Sequence, residues 1–151
     1  MTTTLFVPAS FDVPRELATE ELVLEPLGPD HNDADYAAWT SSIEHIRTTP
    51  GFAGGSWPRE MSLQENLDDL EAHARDFSER VGFTYTVLDP ADGEIVGCVY
   101  IYPARDDDHE ARVSSWVRAS RAELDVTLWQ AVSDWLATAW PFVRVDYARR
   151  G

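Results

Sequence analysis

The sequence predicts one mixed α/β domain of the α+β kind, a twisted, mostly antiparallel sheet with helices on both faces. Three observations predict it. First, a helix is spelled out from Ser62: Ser62 and Glu65 have the spacing of a capping box, and Leu63, Leu67, Leu70, Ala74, Phe77 and Val81 step by three and four. Second, two apolar, β-branched and aromatic runs at 83–88 and 95–102 flank Asp89, Pro90, Asp92 and Gly93, the pattern of a hairpin. Third, short strand-like runs and helical runs succeed one another through 151 residues with no repeat and no linker, so a single domain suffices.

Taken in order, residues 1–14 read as a tail with Pro8 and Pro14, and 15–151 as the domain. Leu22, Val23, Leu24 and Leu27 predict a strand over 22–27 that Gly28 and Pro29 stop. A helix follows over 30–40, with Asp30 as N-cap and Tyr36, Trp39 and Ile43 at helical spacing. Residues 43–47 continue as a second helix that Pro50 and Gly51 end. The stretch 51–61 is a loop rich in glycine, proline and aromatics, and the helix from Ser62 runs until Gly82. After the hairpin come a turn at 106–110 and a strand at 112–118. Ser120 and Glu123 are spaced as a second capping box, opening a helix whose inward face is Leu124, Leu128, Val132, Trp135 and Leu136. Pro141 breaks it, and 142–147 reads as a last strand.

Charge narrows the function classes. The net charge is −15, from 27 acidic and 12 basic side chains, and every basic one is Arg. Such a field repels nucleic acid and anionic membrane surfaces and draws cations in. It opposes a polyanionic cofactor unless the site supplies local positive charge. Cys98 is the single cysteine, so no intrachain disulfide forms, as suits a reducing, cytoplasmic setting. Its apolar neighbours predict a buried, inert thiol. No apolar run is long enough for a signal peptide or a bilayer span.

The acidic run Asp106-Asp107-Asp108-His109-Glu110 lacks the interleaved glycine of a calcium loop and reads as a solvated turn. His31, His45 and His73 lack metal-ligand spacing, so no metal is expected. No G-x-S-x-G elbow and no phosphate-cradling GK[ST] motif occurs.

Four pieces carry a resemblance by their order: the stretch Leu17-Ala18-Thr19-Glu20-Glu21-Leu22-Val23-Leu24-Glu25-Pro26-Leu27, the hairpin from Asp89 with Ile95-Val96-Gly97, Ser115-Trp116-Val117 on the following strand, and the helix and strand beyond it. Over residues 15–148 the chain resembles the GNAT superfamily of N-acetyltransferases, in particular the branch that acetylates ribosomal proteins. The resemblance implies transfer of an acetyl group from acetyl-CoA to an amine of a small molecule or peptide. It also implies a cofactor arm between the fourth and fifth strands, with the pyrophosphate on backbone N–H groups at the next helix start. By position, Val117, Arg118, Arg121 and Ala122 would hold that cofactor. Trp39, Arg47, Phe52, Tyr100, Tyr102 and Ser115 would line the acceptor pocket, with Glu44 or His45 as general base.

The chain also departs from the family pattern. The stretch 119–126 has no glycine and carries Glu123 and Asp125 where phosphates approach. The helix and strands usual after the fifth strand, with their general-acid tyrosine, have no counterpart, which leaves an edge at 142–147 and predicts a homodimer through Phe142, Val143, Val145 and Tyr147. Two functions stay open: a divergent GNAT-type acyltransferase with weakened cofactor binding, or a non-catalytic GNAT-like domain that binds a small cationic or aromatic ligand, or only itself.

Overall fold

A computed structural model describes residues 5–150. Six strands form one sheet in simple sequence order: β1 (Leu17–Ala18), β2 (Val23–Pro26), β3 (Phe83–Leu88), β4 (Ile95–Pro103), β5 (Ala111–Val117) and β6 (Val145–Tyr147). Neighbours are antiparallel except β5 and β6, which run parallel and are joined by a crossover helix. The helices are α1 (Asn32–Thr40), α2 (Ile43–Thr48), α3 (Leu63–Glu79) and α4 (Leu124–Ala139). None is long and apolar enough to cross a membrane among the described residues.

The sheet separates two apolar clusters. On one face, β3, β4 and β5 send Phe83, Tyr85, Val99, Ile101, Val113 and Val117 against Leu128, Val132 and Trp135 of α4. On the other, Cys98 and Trp116 pack with Trp39 of α1, Ile46 of α2 and Leu70 of α3. The two-residue side-chain period of the strands makes this division possible: Cys98 and Trp116 pair across β4 and β5 on one face, Val99 and Ser115 on the other. Cys98 is fully buried, and its thiol pKa is pushed well up by that burial.

Local expectations fare unevenly. The Ser62–Glu65 capping box forms, each side chain 3.0 Å from the other's backbone nitrogen. The apolar stripe of α3 is turned from the expected one: Leu63 and Val81 are exposed, while Asn66, Leu70 and Phe77 are buried and His73 is half-buried beside them. Asp30 does not cap α1. Pro29–His31 forms a 3-10 turn instead, and the Gly28 amide donates to His31 Nδ1 at 3.0 Å. The expected first strand is β2, and β1 pairs beside it through a turn in which Thr19 Oγ1 accepts from the Glu21 and Leu22 amides.

The second capping box does not form. Ser120 lies inside a 3-10 turn, Ala119–Arg121, and Glu123 precedes α4 without a side-chain cap bond. Arg121 draws the Glu123 carboxylate away, with Nε 3.4 Å from Oε1. The last strand is also shorter than 142–147. Phe142 turns inward to stack on Phe6 and Trp140, while Val143 is 88% exposed. The outward apolar surface expected there is therefore mainly Val143.

Candidate functional site

A cavity of about 260 Å³ opens between the α1–α3 side and the sheet, lined by Leu27, Asp35, Phe52, Trp57, Asn66, Asp69, Leu70, His73, Tyr100 and Ser114. A broader cleft of about 680 Å³ adjoins it, sharing Phe52, Trp57, Tyr100 and Ser114 and adding Arg105 and Arg112. The walls are aromatic. Phe52 and Trp57 reach in from the 51–61 loop, their ring centres 5.8 Å apart, and Trp57 lies 5.4 Å from Trp39 and 6.2 Å from Trp116. Tyr100 faces them from β4, its hydroxyl receiving the Trp116 indole N–H at 3.0 Å.

The inner end is polar and tightly wired. Asn66, buried on α3, accepts the Trp39 indole N–H at 3.0 Å and donates to Asn32 Oδ1 at 2.8 Å and Asp35 Oδ2 at 3.1 Å. Asp35 is 4% exposed. Burial raises its pKa to about 6, although the Asn66 bond and nearby His31 pull the other way. A carboxylate without a cation in such a place is held at a cost, and a cationic partner relieves it.

His73 forms the third polar wall. Its Nδ1 lies 3.0 Å from the Tyr102 hydroxyl and 3.1 Å from Thr84 Oγ1. Tyr102 donates its own proton to Asp76 Oδ2 at 2.9 Å. The tautomer with its hydrogen on Nδ1 lets the Tyr102 or Thr84 oxygen accept and leaves the Nε2 lone pair open. Burial pulls the His73 pKa below its ordinary value, so the ring is neutral near pH 7.

The structure brings together three of the residues expected from the sequence. Phe52 and Tyr100 line the cavity, and Tyr102 lines the adjoining cleft while orienting His73. Trp39 is 1% exposed and forms the floor behind Asn66. Arg47 lies outside, with Nε donating to the Pro58 carbonyl at 2.9 Å. Glu44 is exposed on α2, and neither it nor His45 lines the cavity. Ser115 points to the opposite face, its hydroxyl 2.6 Å from that of Tyr147; the residue that lines the cavity is Ser114, paired with Tyr100 across the strands. Sequence reading missed Asp35, Asn66, Asp69 and His73. The available signal was spacing: Asp35 with Ala38 and Trp39 on α1, and Asn66, Leu70, His73 and Phe77 on α3, repeat at three and four.

The four cofactor positions lie at the end of β5 and the start of α4. Val117 is buried in the α4-side cluster. Arg118 Nη1 is 2.8 Å from Glu94 and donates to the Ile95 carbonyl at 3.1 Å. Arg121 Nη1 is 2.9 Å from Asp89. Ala122 is exposed.

Comparison with solved structures places this architecture. One match, a ribosomal-protein-S5-alanine acetyltransferase from Vibrio fischeri, has a TM-score of 0.67 at 15% identity over 89% of this chain and 72% of that one. The fold is that of the GNAT acetyltransferases. A ribosomal-protein-serine acetyltransferase from Vibrio cholerae, so described, gives a TM-score of 0.66 at 16% identity, covering 87% of this chain and 72% of that one. RimJ from Mycobacterium smegmatis, solved with a CoA disulfide, gives 0.66 at 17% identity over 85% of this chain and 62% of that one. No protein-family model matches the sequence, and no curated protein matches it significantly.

The GNAT fold raises the question of acetyl-CoA, and the residues at the α4 start do not fit it. A pyrophosphate needs free backbone N–H groups and positive charge. The amides of Arg121, Ala122 and Asp125 are spent on the carbonyls of Arg118, Ala119 and Ala122. Arg118 and Arg121 are committed to Glu94 and Asp89, and Arg150, the third arginine near this turn, to Asp125. Glu123 and Asp125 at the same helix start offset the charge of Arg121 and Arg150.

Proposed function

We propose that this GNAT-fold domain binds a small dipolar amine. The ammonium group lies against Asp35 and Asp69, the flat body between Phe52, Trp57 and Tyr100, and an anionic group toward Arg105 and Arg112 in the outer cleft. The observation that carries this reading is the buried Asp35 carboxylate at the inner end of an aromatic cavity. Aromatic faces attract a desolvated cation, and the acidic net charge concentrates cations around the molecule. The polarity of the two chambers, acidic within and basic without, supports a ligand that carries both charges.

The test uses three probes in calorimetric titration: 4-(aminomethyl)benzoate, benzylamine and benzoate. Binding should fall in that order, with benzoate silent. Asp35→Asn should weaken the two amines by about tenfold, the scale of one charge-assisted bond. Arg105→Ala with Arg112→Ala should reduce 4-(aminomethyl)benzoate to the level of benzylamine. Benzoate binding as well as benzylamine does would overturn the proposal.

Acyl transfer is the second reading, supported by the fold and by His73. His73 is the one imidazole among the residues lining the cavity, and with its hydrogen on Nδ1 the Nε2 lone pair takes a proton from a bound ammonium. On this reading His73 takes the role that Glu44 or His45 was expected to fill. Its test is release of thiol from acetyl-CoA in the presence of whichever amine binds; no release above the amine-free rate removes it.

A further inference from the structure

The pairing of β5 with β6 stops early. β5 runs on to Val117, but β6 pairs only with its first part, Ala111 to Val145 and Val113 to Tyr147. Beyond Val113 the pairing ends, because β6 itself ends at Tyr147, and the chain after it turns to the α4 side, away from the aromatic cavity. Arg150 fills the gap. Its side chain is 3% exposed. Nε donates to Asp125 Oδ2 at 2.9 Å, Nη2 to the Ser115 carbonyl at 2.9 Å and Nη1 to the Ala148 carbonyl at 2.6 Å. The guanidinium carbon also lies 5.9 Å from the centre of the Tyr147 ring.

This seat is built for a guanidinium. A planar fork of N–H donors meets a carboxylate, two carbonyls and an aromatic face, which an ammonium on a flexible stem could not satisfy together. It ties the first turn of α4 to the middle of β5, across the place where the two strands stop pairing. Asp125 depends on it: its other oxygen, Oδ1, is buried with no hydrogen-bond partner. The Ser115–Tyr147 hydroxyl bond closes the narrow end of the same gap.

We propose that Arg150 is the chain's own occupant of this cleft, holding it shut and excluding an acyl-CoA. A linear amide ligand entering between β5 and β6 would compete with Arg150 for the Ser115 carbonyl. Removing Arg150 alone leaves the half-buried Asp125 carboxylate unpaired, which still opposes an anion. Opening the cleft therefore requires both changes, Arg150→Ala and Asp125→Asn.

The experiment titrates phosphate-free pantetheine, and separately CoA, into the unaltered protein and the Arg150→Ala/Asp125→Asn variant. The unaltered protein should bind neither at about 1 mM, and the double variant should bind pantetheine about tenfold or more tightly, the gain when a cleft open about one-tenth of the time stays open. Equal binding by both proteins overturns the proposal, and so does a double variant that keeps its circular dichroism spectrum but gains nothing. If the variant does not fold, nitrogen-15 spectroscopy of the unaltered protein decides. The Arg150 Nε–H should exchange slowly with solvent, and exchange as fast as that of free arginine refutes the clamp. Neither readout involves the amine cavity, so this inference and the amine-binding proposal fail independently; the acyl-transfer reading is the one that a closed cleft opposes.

Discussion

Asn66 and Asp35 meet across the seam between α3 and α1, with Asn66 Nδ2 3.1 Å from Asp35 Oδ2. The amide satisfies three other side chains at once, those of Asp35, Asn32 and Trp39, and each of them is 9% exposed or less. Replacing it with an apolar group of similar size strands three buried polar groups. Asn66→Leu should therefore lower stability by about 2–4 kcal/mol, since each unsatisfied buried group costs about 1–3 kcal/mol and partners relax in part. Urea unfolding followed by circular dichroism measures it, and a loss below about 1 kcal/mol would mean that the network is idle.

Asp35 gives a pH dependence with a definite sign. Its pKa is raised from 3.8 to about 6, chiefly by burial. The folded protein thus holds this proton more tightly than the unfolded chain does. The stability that Asp35 contributes is full below pH 3.8 and is lost as pH rises through about 6. Asp35→Asn should remove that slope and stabilise the protein at pH 7 by about 2–3 kcal/mol, the difference shrinking toward pH 4. A cation bound against the carboxylate should expel the proton, so binding enthalpies at pH 6 should differ between buffers of unlike ionisation enthalpy.

His73 should behave in the opposite sense. Its pKa lies below 6.5 because burial opposes the charged ring. The stability of the neutral ring is present above pH 6.5 and is lost as pH falls through the folded value. Nitrogen-15 shifts should show the hydrogen on Nδ1 at pH 7. Tyr102→Phe removes the oxygen 3.0 Å away and should let the other tautomer appear. A midpoint at or above 6.5 would contradict the geometry.

Gly97 is a steric requirement of the β4–β5 pair. A Cβ there would run into the Trp116 carbonyl, a backbone atom fixed by the pairing of Cys98 with Trp116 and of Gly97 with Val117. Gly97→Ala should destabilise the protein by about 1–3 kcal/mol. Gly28→Ala is the control, because its Cβ meets nothing within 4 Å and its φ of −146° suits any residue. Thermal melts of the two variants should separate clearly.

The sequence made the fold legible where periodicity was long or capping was local. The hairpin of β3 and β4 and the Ser62–Glu65 start of α3 stand where spacing put them. The Ser120–Glu123 pair shows the limit. It has the same spacing, but Arg121 and Arg118 tie the turn to the β3–β4 hairpin, and the chain takes a 3-10 course instead. The site was half legible. Phe52, Tyr100 and Tyr102 stood out as aromatics near a glycine-rich loop or on an alternating strand. Asp35, Asn66 and His73 did not, because polar residues on a helix read as solvent-facing until the opposite element is known to bring partners such as Trp39 and Tyr102. Ser115 and Ser114 differ by one position, and a strand's period of two sends them to opposite faces, which the bare sequence could not fix.

The two-sided packing of the sheet sorts the indoles into optical populations. Trp39, Trp57 and Trp116 belong to the cavity side, Trp135 and Trp140 to the α4-side core, and Trp129, the sixth, lies on α4 itself. A ligand entering the aromatic cavity perturbs the emission of the first group and leaves the second as an internal reference, whereas opening of the Arg150 cleft acts on the α4 side instead. The protein thus carries its own two-channel fluorometer, and selective Trp→Phe replacement assigns each signal to its face without any added dye.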